Sequence, residues 1–266
     1  MHKYVHLSLL LLFSLVLSAC GNSGETPPSS LAAESSVVTI PTSTTPTTAA
    51  ASVPATAPDQ TPFHISGLSP EDLIGYFNEV CLDAEFTNSG DPSLLQKWDT
   101  PICYRIQGNP TQEDLTVLEN FTAWLNTIEG FPGILETDSS AEANLNFHFC
   151  TQQEMIFQLG DNFHGMDGGV TFWYNGDNQI YSAIICVRSD LPQQLRNSVI
   201  LEELYNGLGP IQDTWLRPDS IIYADYSEPQ DLTEIDRLIL RLLYHPDLQC
   251  GMDAAACAEV LTYLYQ

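Results

Sequence analysis

Carboxylate and amide side chains gather near the end of one predicted helix. Glu202 and Glu203 are followed four positions later by Asn206, and Gln212-Asp213 comes just after a Gly-Pro break. Residues four apart share one face of a helix, and a turn after the break can return the chain to that face. Oxygen ligands suit calcium or magnesium, so Glu202, Gln212 and Asp213 are candidate ligands for a hard cation.

The same spacing resembles the zinc helix of metzincin peptidases, His-Glu-x-x-His-x-x-Gly-x-x-His. On that pattern Glu203 takes the general-base position and Gly209 the turn. The positions that hold zinc ligands in metzincins fall on Glu202, Asn206 and Gln212, with Asp213 adjacent. Zinc favours imidazole and thiolate, whereas neutral amides compete poorly with water for it. We therefore expect a degenerate site, with no bound metal or other cofactor and no peptidase activity.

Further segments extend the resemblance over most of residues 66–266. Residues 219–223 resemble the segment around the methionine turn, with Ile222 in place of methionine, and residues 231–244 resemble the closing helix of matrixin-like peptidases. Together with Lys97-Trp98 and Gly251-Met252, these segments resemble an uncharacterised family of bacterial secreted domains grouped with the zincin-like peptidases. The resemblance implies a zincin-like fold.

Two other interpretations of the candidate site stay open. The glutamate pair and Asn206 could form a polar cap on an amphipathic helix and hold neighbouring loops by hydrogen bonds. Alternatively, Glu202 and Asp213 could bind a divalent metal with help from His148 or His164, which lie outside the helix. The protein would then be an active metal-dependent hydrolase with non-standard ligands.

The N-terminus has the pattern of an export signal. A short basic start precedes an apolar stretch at 5–17, which is too short to cross a bilayer, and Leu17-Ser18-Ala19-Cys20 follows. These four residues resemble the lipobox of bacterial lipoproteins, which implies cleavage before Cys20 and lipid, such as palmitate, on its thiol and new amino group. We expect residues 1–19 to be a signal peptide and the mature chain to be a membrane-anchored extracytoplasmic lipoprotein.

The segment 20–62 is predicted to be a flexible stalk. Ser, Thr, Pro and Ala occupy 30 of the 41 positions from 22 to 62, and such a composition cannot offset the entropy of ordering. The mature chain has seven basic and 34 acidic residues, a net charge of −27. That charge argues against nucleic acid as a partner. The partner is expected to be a protein or envelope component. The alternative is a structural or adhesive surface module, for which the stalk would matter more than the domain.

Six cysteines remain after Cys20. An even number in an oxidising compartment suggests three disulfides, for which sequence alone permits 15 pairings. The simplest assignment pairs neighbours along the chain: Cys81–Cys103, Cys150–Cys186 and Cys250–Cys257.

Capping signals and apolar spacing predict one domain over 63–266. Helices are expected to begin after Ser69, Thr111, Thr151, Asp190, Thr233 and Asp253. Strands are expected over 101–106, 134–135, 145–150, 170–174 and 180–187, the last two joined by an Asn-Gly turn. This order predicts an α+β fold with a mixed β-sheet, flanking helices and a helix-rich C-terminal lobe.

Overall fold

A computed structural model describes residues 62–82, 93–224 and 229–265. Its helices are α1 (Pro70–Leu82), α2 (Gln112–Leu125), α3 (Gln152–Leu159), α4 (Gln193–Asn206), α5 (Glu234–Leu243) and α6 (Ala254–Leu264), with a short 3-10 helix at Asp161–Phe163. Its strands are β1 (Lys97–Trp98), β2 (Ile102–Gly108), β3 (Ile134–Glu136), β4 (Leu145–Cys150), β5 (Gly168–Tyr174) and β6 (Gln179–Arg188).

The strands form one largely parallel sheet. Its hydrogen-bonded order is β1-β6-β4-β2-β3, and every pair along this path is parallel. Only β5 runs antiparallel, paired with β6 through the hairpin turn at 175–178. Parallel neighbours need helical crossovers, so helices alternate with strands through the first part of the domain. The fold is therefore mixed α/β, with a parallel sheet flanked by helices.

Each face of the sheet is covered by different helices. The inner face carries buried apolar rows such as Phe147 beside Ile185, and α4 packs there: a Cβ on Gly207 would lie 3.1 Å from Cδ1 of Ile185. The outer face carries the alternate residues, including Cys150 and Cys186, which pack with α3. A residue's position along its strand therefore decides whether it faces α4 or α3.

A buried ion pair fixes α4 against α2. Arg196 donates through Nε to Oδ1 of Asp114 over 2.8 Å, and both side chains are nearly inaccessible to water. Nη1 of Arg196 donates to the carbonyl oxygens of Ser189 and Leu191. Asp114 also accepts from the backbone N–H of Thr111, closing the capping box that starts α2. The Asp114 carboxylate thus caps the start of α2 and also holds α4 in place.

The predicted elements agree closely with those observed. All six helices and all five predicted strands are present, the mixed sheet and flanking helices are confirmed, and the last two helices form the C-terminal part. The α+β class needs correction to mixed α/β, because most of the sheet is parallel and its helices are interleaved with its strands. The two-residue β1 and the 3-10 helix were not predicted, since each is too short to show a period.

The predicted leader and stalk mostly lie outside the described residues. Cys20, the signal peptide at 1–19 and positions 20–61 fall there, so the structure does not bear on them. In the ranges that the structure does describe, none of the helices is both long and apolar enough to span a membrane.

Candidate functional site

Two side chains hydrogen-bond to the backbone at the C-terminal end of helix α4. Trp98 donates from Nε1 to the carbonyl oxygen of Gly207 over 2.9 Å, and Tyr244 donates its hydroxyl to that of Leu208 over 2.7 Å. These bonds satisfy carbonyls that a helix end leaves open. Gly209 follows with φ of +134°, and a Cβ there would lie 2.8 Å from the carbonyl oxygen of Gln96. Glycine is therefore required at the turn predicted from the sequence.

Glu203 lies in the interface between α4 and the antiparallel strand. It is only 3% exposed. A Cβ on Gly168, the first residue of β5, would lie 2.7 Å from Oε1 of Glu203 and 2.4 Å from Cγ1 of Val199. The missing side chain at Gly168 thus makes room for the carboxyl group. The general-base position is buried under a strand, without open access to water.

Burial controls the ionisation of Glu203. Loss of hydration raises its pKa well above the ordinary value, and the neighbouring carboxylates of Glu202 and Asp213 raise this pKa further. A general base must be ionised to accept a proton. Glu203 instead favours the protonated form, which cannot accept a further proton.

The candidate ligand positions combine half-buried and buried groups. Glu202, Gln212 and Asp213 are half-buried, whereas Asn206 is only 7% exposed and its amide oxygen accepts no hydrogen bond. The segment after α4 runs past α1, where the N–H of Ile211 donates to the carbonyl oxygen of Val80 over 2.8 Å. The structure thus brings Glu202 and Asp213 near Glu203, as the spacing predicts.

These residues do not fit zinc. Among the residues that the structure describes, no three histidine, cysteine, aspartate or glutamate side chains are grouped so that they could hold a metal ion. The unpaired oxygen of Asn206 is a neutral amide, which is a weak ligand for zinc. No reaction step through zinc can be derived from this donor set.

The two histidines considered as additional ligands lie elsewhere. His148 alternates with the inner-face residues Phe147 and Phe149, so its side chain is on the outer face, across the sheet from α4. There Nε2 of His148 lies 3.4 Å from Nε2 of Gln107. His164 is exposed at the end of the 3-10 helix, beside α3. The idea that either imidazole joins Glu202 and Asp213 is therefore wrong for this arrangement.

A buried carboxylate beneath α4 organises the segment with Ile222. Asp236 accepts from the hydroxyl of Ser220 over 2.6 Å and from the N–H of Ile221, while Tyr76 donates to Ser220 over 3.0 Å. The same carboxylate accepts from the N–H of Thr233, which makes it the capping-box residue of α5. The sequence predicts the start of α5 after Thr233. It does not predict that Asp236 also binds Ser220 and Ile221, because these contacts join residues far apart in the chain.

The six cysteines of the described ranges form no disulfide in this structure. Cys150 and Cys186 share the outer face, and a hydrogen bond between their thiols raises the pKa of Cys186. Burial raises the pKa of Cys81, and the charge of the nearby Cys257 raises this pKa further. The thiol of Cys250 lies 3.6 Å from the carbonyl oxygen of Lys97. The pairings Cys81–Cys103, Cys150–Cys186 and Cys250–Cys257 stay predictions.

One family model matches the domain. The model, described as a protein of unknown function, DUF2927, matches residues 70–263, the span from the first residue of α1 almost to the end of α6. No curated protein matches the chain. Because the match covers well over half of the sequence, the protein belongs to the DUF2927 family.

Proposed function

We propose that the protein is an exported, lipid-anchored lipoprotein whose domain is a degenerate, non-catalytic relative of zincin-like peptidases. The domain binds a protein or another component of the bacterial envelope, and the segment 20–62 holds it off the membrane. The burial of Glu203 carries this proposal, because the carboxyl group at the general-base position is only 3% exposed and its raised pKa favours the protonated form.

Three features support the zincin-like relationship. The Glu-Glu-x-x-Asn-x-x-Gly spacing falls on α4 and its following turn, and the glycine is conformationally required there. Ser220, Ile221 and Ile222 are buried, and the N–H of Ile221 donates to Asp236. Asp236 belongs to the first turn of α5, the helix that corresponds to the closing helix of the resemblance. The order of these parts along the chain is the one that the resemblance implies.

The purified protein is expected to contain no stoichiometric zinc and to show no chelator-sensitive cleavage of peptide libraries. A metal-dependent hydrolase lowers the pKa of a bound water to about 7, which needs a cation that the present donors hold poorly. Metal analysis by mass spectrometry and library digestion with and without chelator check this. Tight zinc together with cleavage that is lost in Glu203→Gln would overturn the proposal in favour of an enzyme.

A binding role needs an exposed contact surface, and exposed apolar side chains follow the candidate site in the chain. Trp215 is 62% exposed and the adjacent Leu216 is similarly open, two and three positions after Asp213. The ring of Trp215 packs edge-on against Tyr223, with centroids 5.9 Å apart, so the indole is oriented and not only exposed. Exposed Trp side chains are frequent anchors of protein interfaces. We assign the contact surface to this segment.

Replacing Trp215 with alanine is expected to lower capture of the bound component from envelope extracts by about tenfold or more, which is the usual effect of an interface anchor. Phe157→Ala is the matched control, because Phe157 is 85% exposed but belongs to α3 on the outer face. Quantitative pull-down from envelope extracts measures both variants. Equal losses in the two variants, or no retained component with the unchanged protein, would contradict a binding surface at Trp215.

A further inference from the structure

Helices α1 and α6 run antiparallel and are tied together at one end. The hydroxyl of Tyr265, just after α6, accepts from the N–H of Ile65 and donates to the carbonyl oxygen of Ile65 or Leu68, all within 3.1 Å. The start of α1 is therefore beside the end of α6. The two helices also pack against each other. In an antiparallel pair with this end fixed, the end of α1 lies towards the start of α6.

Cysteines occupy both helices at that second end. Cys81 is the penultimate residue of α1, and Cys257 is the fourth residue of α6. Both are buried in the same apolar core, where they are at most 2% exposed. Burial raises the pKa of Cys81, and the charge of the nearby Cys257 raises this pKa further.

Cys103, the other candidate partner of Cys81, lies on the opposite face of the sheet. Cys103 alternates with Ile102 and Tyr104, whose side chains are buried on the inner face, so its own side chain is on the outer face of the sheet. Cys81 belongs to the core on the other side. A disulfide needs Cα atoms within about 7 Å and side chains directed towards each other. The neighbour pairing Cys81–Cys103 does not meet the second condition.

We infer that Cys81 and Cys257 form a disulfide that fastens α1 to α6 and so joins the two ends of the domain. Oxidation breaks two S–H bonds and forms one S–S bond, releasing two protons and two electrons. The electrons pass to the disulfide of a thiol oxidoreductase, or to oxidised glutathione in vitro, which is reduced to two thiols. The inference rests on the proposed export, because disulfides persist in oxidising compartments.

Refolding the reduced protein in a glutathione redox buffer tests the pairing without requiring export. After thiol trapping, non-reducing peptide mapping is expected to find Cys81 linked to Cys257, and to find the same link in Cys103→Ala. Because the bond closes most of the domain into one loop, oxidation should raise Tm by roughly 10 °C. Most of that increase should be lost in the double variant Cys81→Ala/Cys257→Ala and kept in Cys103→Ala.

Finding Cys81 linked to Cys103, or Cys250 linked to Cys257, in the refolded protein would overturn the inference. So would a Tm increase on oxidation that is as large in the double variant as in the unchanged protein. Mapping the protein taken from an envelope fraction is a separate measurement. Reduced Cys81 and Cys257 there, with the correct link after refolding in vitro, would count against export and leave the pairing supported.

Discussion

Replacing Cys20 with serine is expected to move the protein from the membrane fraction to the soluble fraction. Serine cannot carry the thioether-linked lipid that the Leu17-Ser18-Ala19-Cys20 motif predicts. A single acyl chain gives only marginal attachment, whereas two or more chains on one residue hold a protein stably. Cell fractionation followed by immunoblotting measures the change, which should be nearly complete because the lipid on Cys20 is the predicted anchor.

Cys103→Ser is the matched control for this experiment, since it also replaces a thiol with a hydroxyl but lies within the folded domain. It should stay in the membrane fraction. N-terminal mass spectrometry adds a second measurement, because the mature wild-type chain should begin at a lipid-modified Cys20. Anchoring would be refuted if the wild-type protein were already soluble and its mature N-terminus lay elsewhere.

The elements of this fold were predictable because their signals are local. Thr111 and Thr151 each begin a capping box that spans three residues, and the structure contains both boxes as the sequence predicts. The Asn-Gly hairpin is equally local: Oδ1 of Asn175 accepts from the N–H groups of Asp177 and Gln179. Short-range hydrogen bonds of this kind leave their pattern in adjacent residues.

The positions of the candidate site residues on their helix could be predicted, but their burial and neighbours could not, because these depend on distant parts of the chain. The sequence places Glu203 on a helix but cannot show that Gly168 leaves space for its carboxyl group. Nor can it show that His148 faces away, since a one-residue change of strand register would reverse the face of each side chain. The residue types alone argue against zinc, whereas the burial of the general-base position could be found only from the structure.

The burial of Glu203 makes the stability of the protein depend on pH. This dependence can distinguish a buried, protonated Glu203 from an ionised one that acts as a base. Because the folded-state pKa of Glu203 is raised, the native protein retains a proton that the unfolded chain releases. The stabilisation is fully present below the ordinary glutamate pKa and is lost as pH rises through the raised pKa. Within that window stability falls with pH by about 1.4 kcal/mol per pH unit.

Glu203→Gln should remove this loss, because glutamine has nearly the shape of the protonated acid and stays neutral at every pH. The variant should therefore match the wild type near pH 4 and become progressively more stable than it as pH rises. Asp236 is also buried with a raised pKa, but it is present in both proteins and cancels in the difference. Urea denaturation from pH 4 to 8 measures the two free energies of unfolding.

Glu259→Gln is the control for this comparison, since Glu259 is an exposed residue of α6. Its free energy of unfolding should follow the wild type across the whole pH range. A Glu203→Gln variant that is less stable than the wild type by a constant amount would mean that the carboxylate is ionised and bound by a partner in the fold. That outcome would restore the ionised base that a hydrolase requires, whereas a difference growing with pH supports a carboxyl group that is buried in its protonated form.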